Sequence, residues 1–218
     1  MMMIKVITCK VSEERKEDFF EEQKIWKALS PLNGFLGQVG GWSDQDPSTA
    51  CIFAFWENEE AYQYFMDNVH DEILLHSNQS STYKSIDVSL YEESFTVPGS
   101  EKKITHVLEK AKYVRVARAL VKPGHADHFI DMQKTIWNPG MSAAEGFLGG
   151  SFAISKKRVR DFLVFTCWGN ERFHQKYVEK HFPALVKETK MQTDVQEIMG
   201  EEVVLEEAWR VLPFNNGG

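Results

Sequence analysis

Two histidines recur at nearly the same distance after a tryptophan. His70 lies 14 residues after Trp56, and His181 lies 13 residues after Trp168. Imidazole titrates close to neutral pH, so each histidine could act as a general base or could donate a hydrogen bond to a ligand. A capping or surface role would explain the same recurrence, because a duplication also copies structural residues. The sequence therefore offers His70 and His181 as candidate catalytic residues and leaves the structural alternative open.

Two pairs of glutamine and tryptophan lie near the end of a predicted helix in each half of the chain. The first pair is Gln23 and Trp26, and the second is Gln133 and Trp137. The indole rings could form the wall of a pocket, and the amide groups could orient a ligand there. Aromatic residues at helical spacing also serve as core anchors, and one residue can do both. We predict that these four residues bind the substrate.

The elements that must position these side chains belong to a sequence that is repeated within the chain. The residues GFLG at 34–37 return at 146–149, an offset of 112, and the same offset carries FAFWENEEAY onto FTCWGNERFH. Other landmarks match at offsets of 110 to 114, which single-residue insertions in loops would produce. We therefore predict two domains, 1–96 and 111–213, joined by a linker at 97–110 that contains Pro, Gly, Ser and charged residues.

Each repeat predicts the element order βαββαβ, which is the ferredoxin-like arrangement. A helix is expected over 12–29, a glycine-rich strand over 34–43 and an apolar strand over 49–56, while Asn58 and Asn170 are placed to cap the second helices. Helices on one face of such a sheet leave the other face bare, and a large exposed apolar face is a liability. The predicted fold is α+β, with the two units packed sheet to sheet as an intramolecular pseudo-dimeric α+β barrel.

These features resemble the dimeric α+β barrel superfamily, which includes antibiotic-biosynthesis monooxygenases and heme-degrading monooxygenases. The resemblance rests on the two GFLG turns, on Trp56 and Trp168 at the ends of strands, and on the helices that follow Asn58 and Asn170. The first half, with GFLGQVGGW, ACIFAFWENEEAY and HDEI, resembles a small bacterial domain family of unknown function placed near the monooxygenases.

The resemblance implies a substrate class and a reaction. Enzymes of the superfamily commonly bind an aromatic or polyketide-like substrate between the helices and the sheet, and many need no metal or flavin. It therefore implies a cofactor-independent monooxygenase in which His70 and His181 draw a proton from an acidic phenol or enol, with no metal site. A non-catalytic small-molecule-binding or stress-associated module is the alternative. A third possibility is that one unit has become scaffold.

His76 invites comparison with the heme-degrading branch of the superfamily. The catalytic set there resembles an Asn on the first strand with a Trp and a His ten residues apart along the second helix. His76 stands where that His would be, but Met66 occupies the Trp position and the first strand has no Asn. The incomplete set makes heme degradation the weaker hypothesis. His76 is kept as a candidate substrate-binding residue beside an ordinary role at a helix end.

Composition excludes several classes of partner. With 43% hydrophobic residues and a net charge of −7, the chain can form a core but lacks the basic clusters that nucleic acids and anionic membranes require. The start MMMIKVITCK does not read as a secretory signal, and no apolar run is long enough to span a membrane. Cys9, Cys51 and Cys167 are predicted to be buried thiols. We expect a cytoplasmic protein that binds a small molecule, and a further homodimer is left open.

Overall fold

The computed structural model describes residues 1–214, which form two compact units. Of the described residues, unit 1 comprises Met1–Glu92 together with 203–214, and unit 2 comprises Glu93–Glu202. Two long strands, β4 (Ser85–Val97) and β8 (Val195–Leu205), therefore contribute residues to both units. Within the predicted linker at 97–110, a short helix forms over Ile104–Lys110, because it buries Val107 and Leu108.

Unit 1 has the element order that the repeat predicts. Its first helix is preceded and followed by 3₁₀ turns at Glu13–Arg15 and Lys24–Leu29. Strand β1 pairs antiparallel with β3 on one side and with β4 on the other, and β2 pairs with the far side of β3. The elements in chain order are β1 (Met3–Lys10), α1 (Lys16–Gln23), β2 (Phe35–Ser43), β3 (Thr49–Trp56), α2 (Glu59–Asn68), α3 (His70–Leu75) and β4.

Unit 2 repeats this order after the helix α4 (Ile104–Lys110). Its central strand β7 pairs antiparallel with β5 and with β6. The first helix of this unit passes through a π-helical turn at Gln133–Trp137 before it continues. The elements in chain order are β5 (Tyr113–Val121), α5 (Ala126–Met132), α6 (Asn138–Ser142), β6 (Phe147–Ser155), β7 (Asp161–Trp168), α7 (Glu171–Lys180), α8 (Phe182–Thr189) and β8.

The first glycine of the repeated GFLG segment is required for the same physical reason in both units. Gly34 and Gly146 adopt left-handed conformations, with φ of +75° and +77°. A Cβ atom on Gly34 would lie 2.5 Å from the Cβ of Ala61, and one on Gly146 would lie 2.2 Å from the ring of Phe173. Each turn therefore requires glycine for two reasons, because its backbone φ is positive and because it packs closely against the second helix.

The predicted caps of the second helices are confirmed. Asn58 Oδ1 accepts a hydrogen bond from the Ala61 amide at 2.9 Å, and Asn170 Oδ1 accepts one from the Phe173 amide at 3.0 Å. The register of β2 shifts at Gly37, and that of β6 shifts at the equivalent glycine, as a β-bulge requires. All eight residues of β3 are buried, as expected for a strand inside a sheet.

Two general expectations concern membranes and thiols. None of the helices within residues 1–214 combines the length and the apolar character needed to cross a bilayer. Cys9, Cys51 and Cys167 are buried, as the apolar strands around them predict.

Candidate functional site

Unit 1 contains a cavity of about 330 Å³ between its helices and its sheet. This volume lies in the range of small-molecule sites. Most of the lining is apolar, and one wall is built from aromatic rings. The aromatic residues that line it are Trp26, Trp56, Tyr62, Phe65 and Tyr83, and the polar and ionisable ones include Lys5, Gln23, Gln38, His70 and Gln79.

Lys5, Ala54 and Gln38 form one row across the sheet floor of this cavity. Lys5 on β1 is directly opposite Ala54 on β3, and Gln38 on β2 is opposite the same alanine. Side chains of directly opposed residues lie on the same face of a sheet. Because alanine has only a methyl group, the row leaves space between the two longer side chains.

Lys5 is buried without an acidic partner. Only 7% of the residue is exposed, and none of the ion pairs within residues 1–214 includes it. Its Nζ lies 3.8 Å from Met66 Sδ and 5.8 and 5.7 Å from the ring centroids of Tyr62 and Phe65. Burial lowers the pKa of this lysine from 10.5 to about 8. The cavity therefore holds a cation whose environment disfavours its charge.

Two further hydrogen-bond donors of the lining have no acceptor. Gln38 Nε2 and Trp56 Nε1 are buried and make no hydrogen bond to any described residue. The equivalent indole in unit 2, Trp168 Nε1, donates to Thr166 Oγ1 at 3.4 Å. Ala54 occupies the position in unit 1 that this threonine occupies in unit 2, since the two face Lys5 and Arg115 across equivalent strand pairs. The loss of that hydroxyl explains why Trp56 has no acceptor.

The predicted pair Gln23 and Trp26 lies in the cavity wall and is held by a third residue. Trp26 Nε1 donates to Gln79 Oε1 at 2.8 Å, and Gln79 Nε2 donates to Gln23 Oε1 at 2.5 Å. This chain of hydrogen bonds fixes the orientation of the indole. Gln79 follows α3 in a short turn, and nothing in its local sequence marks it as a cavity residue.

The structure brings His70, but not His76, to this cavity. His70 begins α3, lines the cavity, and has its ring centroid 5.7 Å from that of Trp26. Its Nδ1 lies 2.9 Å from Asp71 Oδ1, which makes Nε2 the ring nitrogen available for proton exchange with a ligand. His76 is exposed at the end of α3, where its Nδ1 lies 2.8 Å from the carbonyl oxygen of Glu72.

Unit 2 has a corresponding cavity of about 270 Å³, lined by Gln133 and Trp137 among others. The ring of Trp137 lies 5.5 Å from that of Phe182, which also lines the cavity. This contact matches the contact between Trp26 and His70, so Phe182 occupies the position of His70 in this unit. His181 is one residue earlier, outside the lining, with its ring stacked 6.2 Å from that of Tyr177.

Three polar side chains in or beside the cavity of unit 2 have internal partners. Arg115 is the counterpart of Lys5, and its Nε lies 3.5 Å from Glu202 Oε1. The hydroxyl of Tyr113 donates to the other oxygen of Glu202 at 2.9 Å. Gln133 Nε2 donates to Asn138 Oδ1 at 2.8 Å. Arg115 thus has the internal acidic partner that a buried guanidinium requires.

His174 is the histidine that lines the unit 2 cavity, and its sequence position was not singled out as a candidate. Only 3% of it is exposed, and burial lowers its pKa from 6.5 to about 4, while Glu202 opposes that shift. It follows the cap Asn170 by four residues, as Tyr62 follows Asn58, and both rings pack edge-on against the strand-end tryptophan. The helical spacing from the cap was the signal that could have identified it.

Lys5 was also missed, although the sequence contains a signal for it. It is a single charged residue between apolar neighbours of the first strand, at the same parity as the buried Met3 and the cavity residue Ile7. Alternation along a strand predicts that such a residue lies on the same face as those neighbours.

Within residues 1–214, no group of three or more His, Cys, Asp or Glu side chains is arranged to hold a metal ion.

Two solved structures share the fold over nearly the whole chain. A candidate monooxygenase from Lactobacillus acidophilus has a TM-score of 0.73 at 12% identity and covers 97% of this chain and 96% of its own. Another from Fusobacterium nucleatum has a TM-score of 0.75 at 12% identity and covers 94% and 92%. This likeness confirms the predicted fold class, α+β with two βαββαβ halves of the dimeric α+β barrel type. At such low identity it concerns the fold and not the activity.

The first half of the chain matches a family by sequence. Residues 3–91 fit the model of a domain of unknown function, DUF4937. The uncharacterized protein YdbC of Bacillus subtilis is 44% identical over 94 residues, which are 42% of this chain and 79% of that protein. The sequence-based resemblance to a small domain family of unknown function is thereby confirmed, and the chain belongs to the DUF4937 family through its first half.

Proposed function

We propose that the cavity of unit 1 binds a small aromatic or polyketide-type compound and that the protein oxidises this compound with dioxygen, as a cofactor-independent monooxygenase. One observation carries the proposal: a cavity of about 330 Å³ with an aromatic wall also has an imidazole, that of His70, in its lining. Such a cavity excludes water from a flat substrate while a base remains within reach of it.

The proposed chemistry needs no reductant other than the substrate. His70 Nε2 accepts a proton from an acidic phenol, enol or activated CH₂ group, and Asp71 at Nδ1 stabilises the imidazolium that results. The carbanion or enolate then reacts with dioxygen. In the net reaction CH₂ + O₂ → C=O + H₂O, one oxygen atom enters the substrate and the other leaves as water, and the electrons come from the two C–H bonds.

The proposal assigns the base to His70 alone. In unit 2 the corresponding position is held by Phe182, which cannot accept a proton, and His181 lies outside the cavity lining. The two solved structures with this fold are candidate monooxygenases, which supports the reaction class but not the substrate. Unit 2 then serves as scaffold.

Oxygen uptake with anthrone as the probe tests the catalytic proposal. Anthrone is a flat three-ring ketone with an acidic central CH₂ group, so its oxidation follows the net reaction above. We expect the His70→Gln variant to consume oxygen at least about a hundredfold more slowly than the unaltered protein. The matched control is His76→Gln, which removes an exposed histidine from the same helix and should leave the rate unchanged. Equal rates for the unaltered protein and His70→Gln would refute the assigned base.

A non-catalytic binding module is the second candidate. It is favoured by the unpaired donors Gln38 Nε2 and Trp56 Nε1, which are suited to holding a ligand and have no part in the proton transfer. This candidate predicts that anthrone binds to the protein while oxygen uptake stays at the rate measured without protein.

A further inference from the structure

The cavity of unit 1 contains three buried hydrogen-bond donors for which the described residues supply no oxygen acceptor. They are the ammonium group of Lys5, the amide nitrogen of Gln38 and the indole nitrogen of Trp56. A buried donor without an acceptor costs free energy, and folded proteins seldom leave several of them beside one cavity. A group that satisfied all three would have to be rich in acceptor oxygen atoms and carry negative charge.

We propose that the row of Lys5, Ala54 and Gln38 is the recognition subsite for an oxyanion of the ligand, a carboxylate or an ionised phenol or enol on a flat aromatic compound. This inference rests on the proposed function, because it takes the unit 1 cavity as the ligand site. It adds a substrate class to that function: the compound is acidic, and its charged oxygen binds at the sheet floor.

The geometry of the row supports this assignment. Lys5 and Gln38 lie on the two strands that flank β3, so their Cα atoms are separated by about 10 Å, twice the spacing between strands. Only the methyl group of Ala54 stands between them. Trp56 follows Ala54 by two residues on β3 and so lies on the same face of the sheet. Its indole and Lys5 Nζ both contact the ring of Phe65, at 4.8 and 5.7 Å from the centroid.

Unit 2 is an internal comparison for the same positions. There the cation is Arg115, and Glu202 supplies the carboxylate that Arg115 and Tyr113 need. The indole of Trp168 donates to Thr166, where unit 1 has Ala54. Unit 2 therefore supplies partners for its cation and its indole from within the chain and has Gly150 at the position of Gln38, whereas unit 1 leaves all three donors without an oxygen acceptor, as expected if a ligand completes unit 1.

The charge states of the residues that line the cavity are consistent with an anionic ligand. Burial disfavours the charge of Lys5, and a bound anion would restore it. Burial also raises the pKa values of three further groups of the lining, Cys9, Tyr62 and Tyr83, so these stay neutral near pH 7 and add no negative charge. The remaining titratable group of the lining is His70, on α3. No carboxylate is among the lining residues.

Two probes of nearly equal shape and different charge test the subsite. The probes are 2-naphthoate, a carboxylate, and 2-naphthamide, its neutral analogue, and their affinities for the full chain are measured by calorimetry at pH 7. We expect naphthoate to bind about tenfold more tightly or better. The Lys5→Met variant should bind both probes within about twofold of each other. Methionine suits the apolar surroundings of Lys5, so this variant is expected to fold.

Two further variants complete the experiment. Lys27→Met removes the same charge from an exposed position of unit 1 and should keep the preference for naphthoate. Gln38→Leu removes the second donor and should weaken naphthoate binding severalfold while leaving naphthamide binding unchanged. A preference for naphthoate that survives in Lys5→Met would overturn the inference.

The outcomes separate this inference from the function on which it rests. Equal binding of both probes by the unaltered protein overturns the oxyanion subsite and leaves the cavity as a ligand site. Binding of neither probe overturns both. A preference for naphthoate that depends on Lys5, together with no oxygen uptake from anthrone, supports the subsite and favours the non-catalytic module over the monooxygenase.

Discussion

Lys5 keeps a buried position although no acidic side chain of the described residues neutralises it. Its neighbours are a methionine sulfur and two aromatic rings, which stabilise a cation less well than water does. A residue that weakens the fold and lines a cavity is more easily explained by ligand binding than by packing. Arg115, the counterpart of Lys5 in unit 2, has the acidic partner Glu202 that Lys5 lacks.

Replacing Lys5 should therefore stabilise the protein. The pKa of Lys5 is about 8 in the folded chain and 10.5 in the unfolded chain, so the unfolded chain binds the proton more tightly. The resulting penalty is complete below pH 8 and disappears as the pH rises from 8 to 10.5. We expect Lys5→Met to raise the free energy of unfolding at pH 7 by an amount on the order of 3 kcal/mol.

Urea unfolding of the two proteins at pH 7 and near pH 10 provides the measurement. The advantage of Lys5→Met should shrink at the higher pH, where the lysine of the unaltered protein is neutral in the folded state. A variant that is less stable at pH 7 would show that Lys5 contributes to the fold and would remove the argument for a functional role.

The sequence could identify some of these residues and not others. Gln23 and Trp26 were found because helical periodicity places them on the buried face of a helix, and that face also borders the cavity. The hydrogen bonds that hold them come from Gln79, more than fifty residues away, and no local pattern predicts such a contact. The row that contains Lys5 depends on strand register, which is fixed by pairing and not by composition.

At the scale of elements, the glycine turn before β2 determines how the second helix meets the sheet. Gly34 has a positive φ, and its Cα is so close to Ala61 at the start of α2 that a side chain has no room. Gly124 has a similar φ of +81°, but a Cβ atom there would meet no atom within 4 Å. An alanine at Gly124 would therefore add only backbone strain, whereas an alanine at Gly34 would add both strain and a steric clash. A comparison of the two substitutions separates these two contributions to the free energy of unfolding.

We expect Gly34→Ala to destabilise the protein more than Gly124→Ala does. The change at Gly124 adds only the strain of a left-handed alanine, about 1–2 kcal/mol. The change at Gly34 adds the same strain and a clash with Ala61, for a further cost of about 1–3 kcal/mol. Chemical unfolding of the two variants measures the difference, and equal costs would mean that the turn does not position α2.

Element order was predictable because each repeat confirms the other, whereas short helices were not. The helix α4 lies in a segment rich in charged residues, and it forms because Val107 and Leu108 find a buried surface. The assignment of His181 as the partner of His70 came from counting residues after each tryptophan. The ring contacts with Trp26 and Trp137 instead pair His70 with Phe182, which is also the residue that the repeat offset of 112 places opposite His70.

At the scale of the whole molecule, the two repeats share one fold and differ in how their buried polar groups are paired. Unit 2 neutralises Arg115 with Glu202 and gives its tryptophan an acceptor, while unit 1 leaves the equivalent groups open. After a duplication, one repeat can keep a ligand site while the buried polar groups of the other repeat acquire partners from the chain itself. We therefore predict that an acidic aromatic compound occupies the cavity of unit 1 and not that of unit 2.

A crystal structure of the protein grown with 2-naphthoate tests this claim most directly. We predict that the naphthalene ring lies against the aromatic wall of the unit 1 cavity, with a carboxylate oxygen within about 3.2 Å of Lys5 Nζ, while the unit 2 cavity does not contain the compound. An unoccupied unit 1 cavity with the compound bound elsewhere, or a carboxylate that faces away from Lys5, would contradict the account.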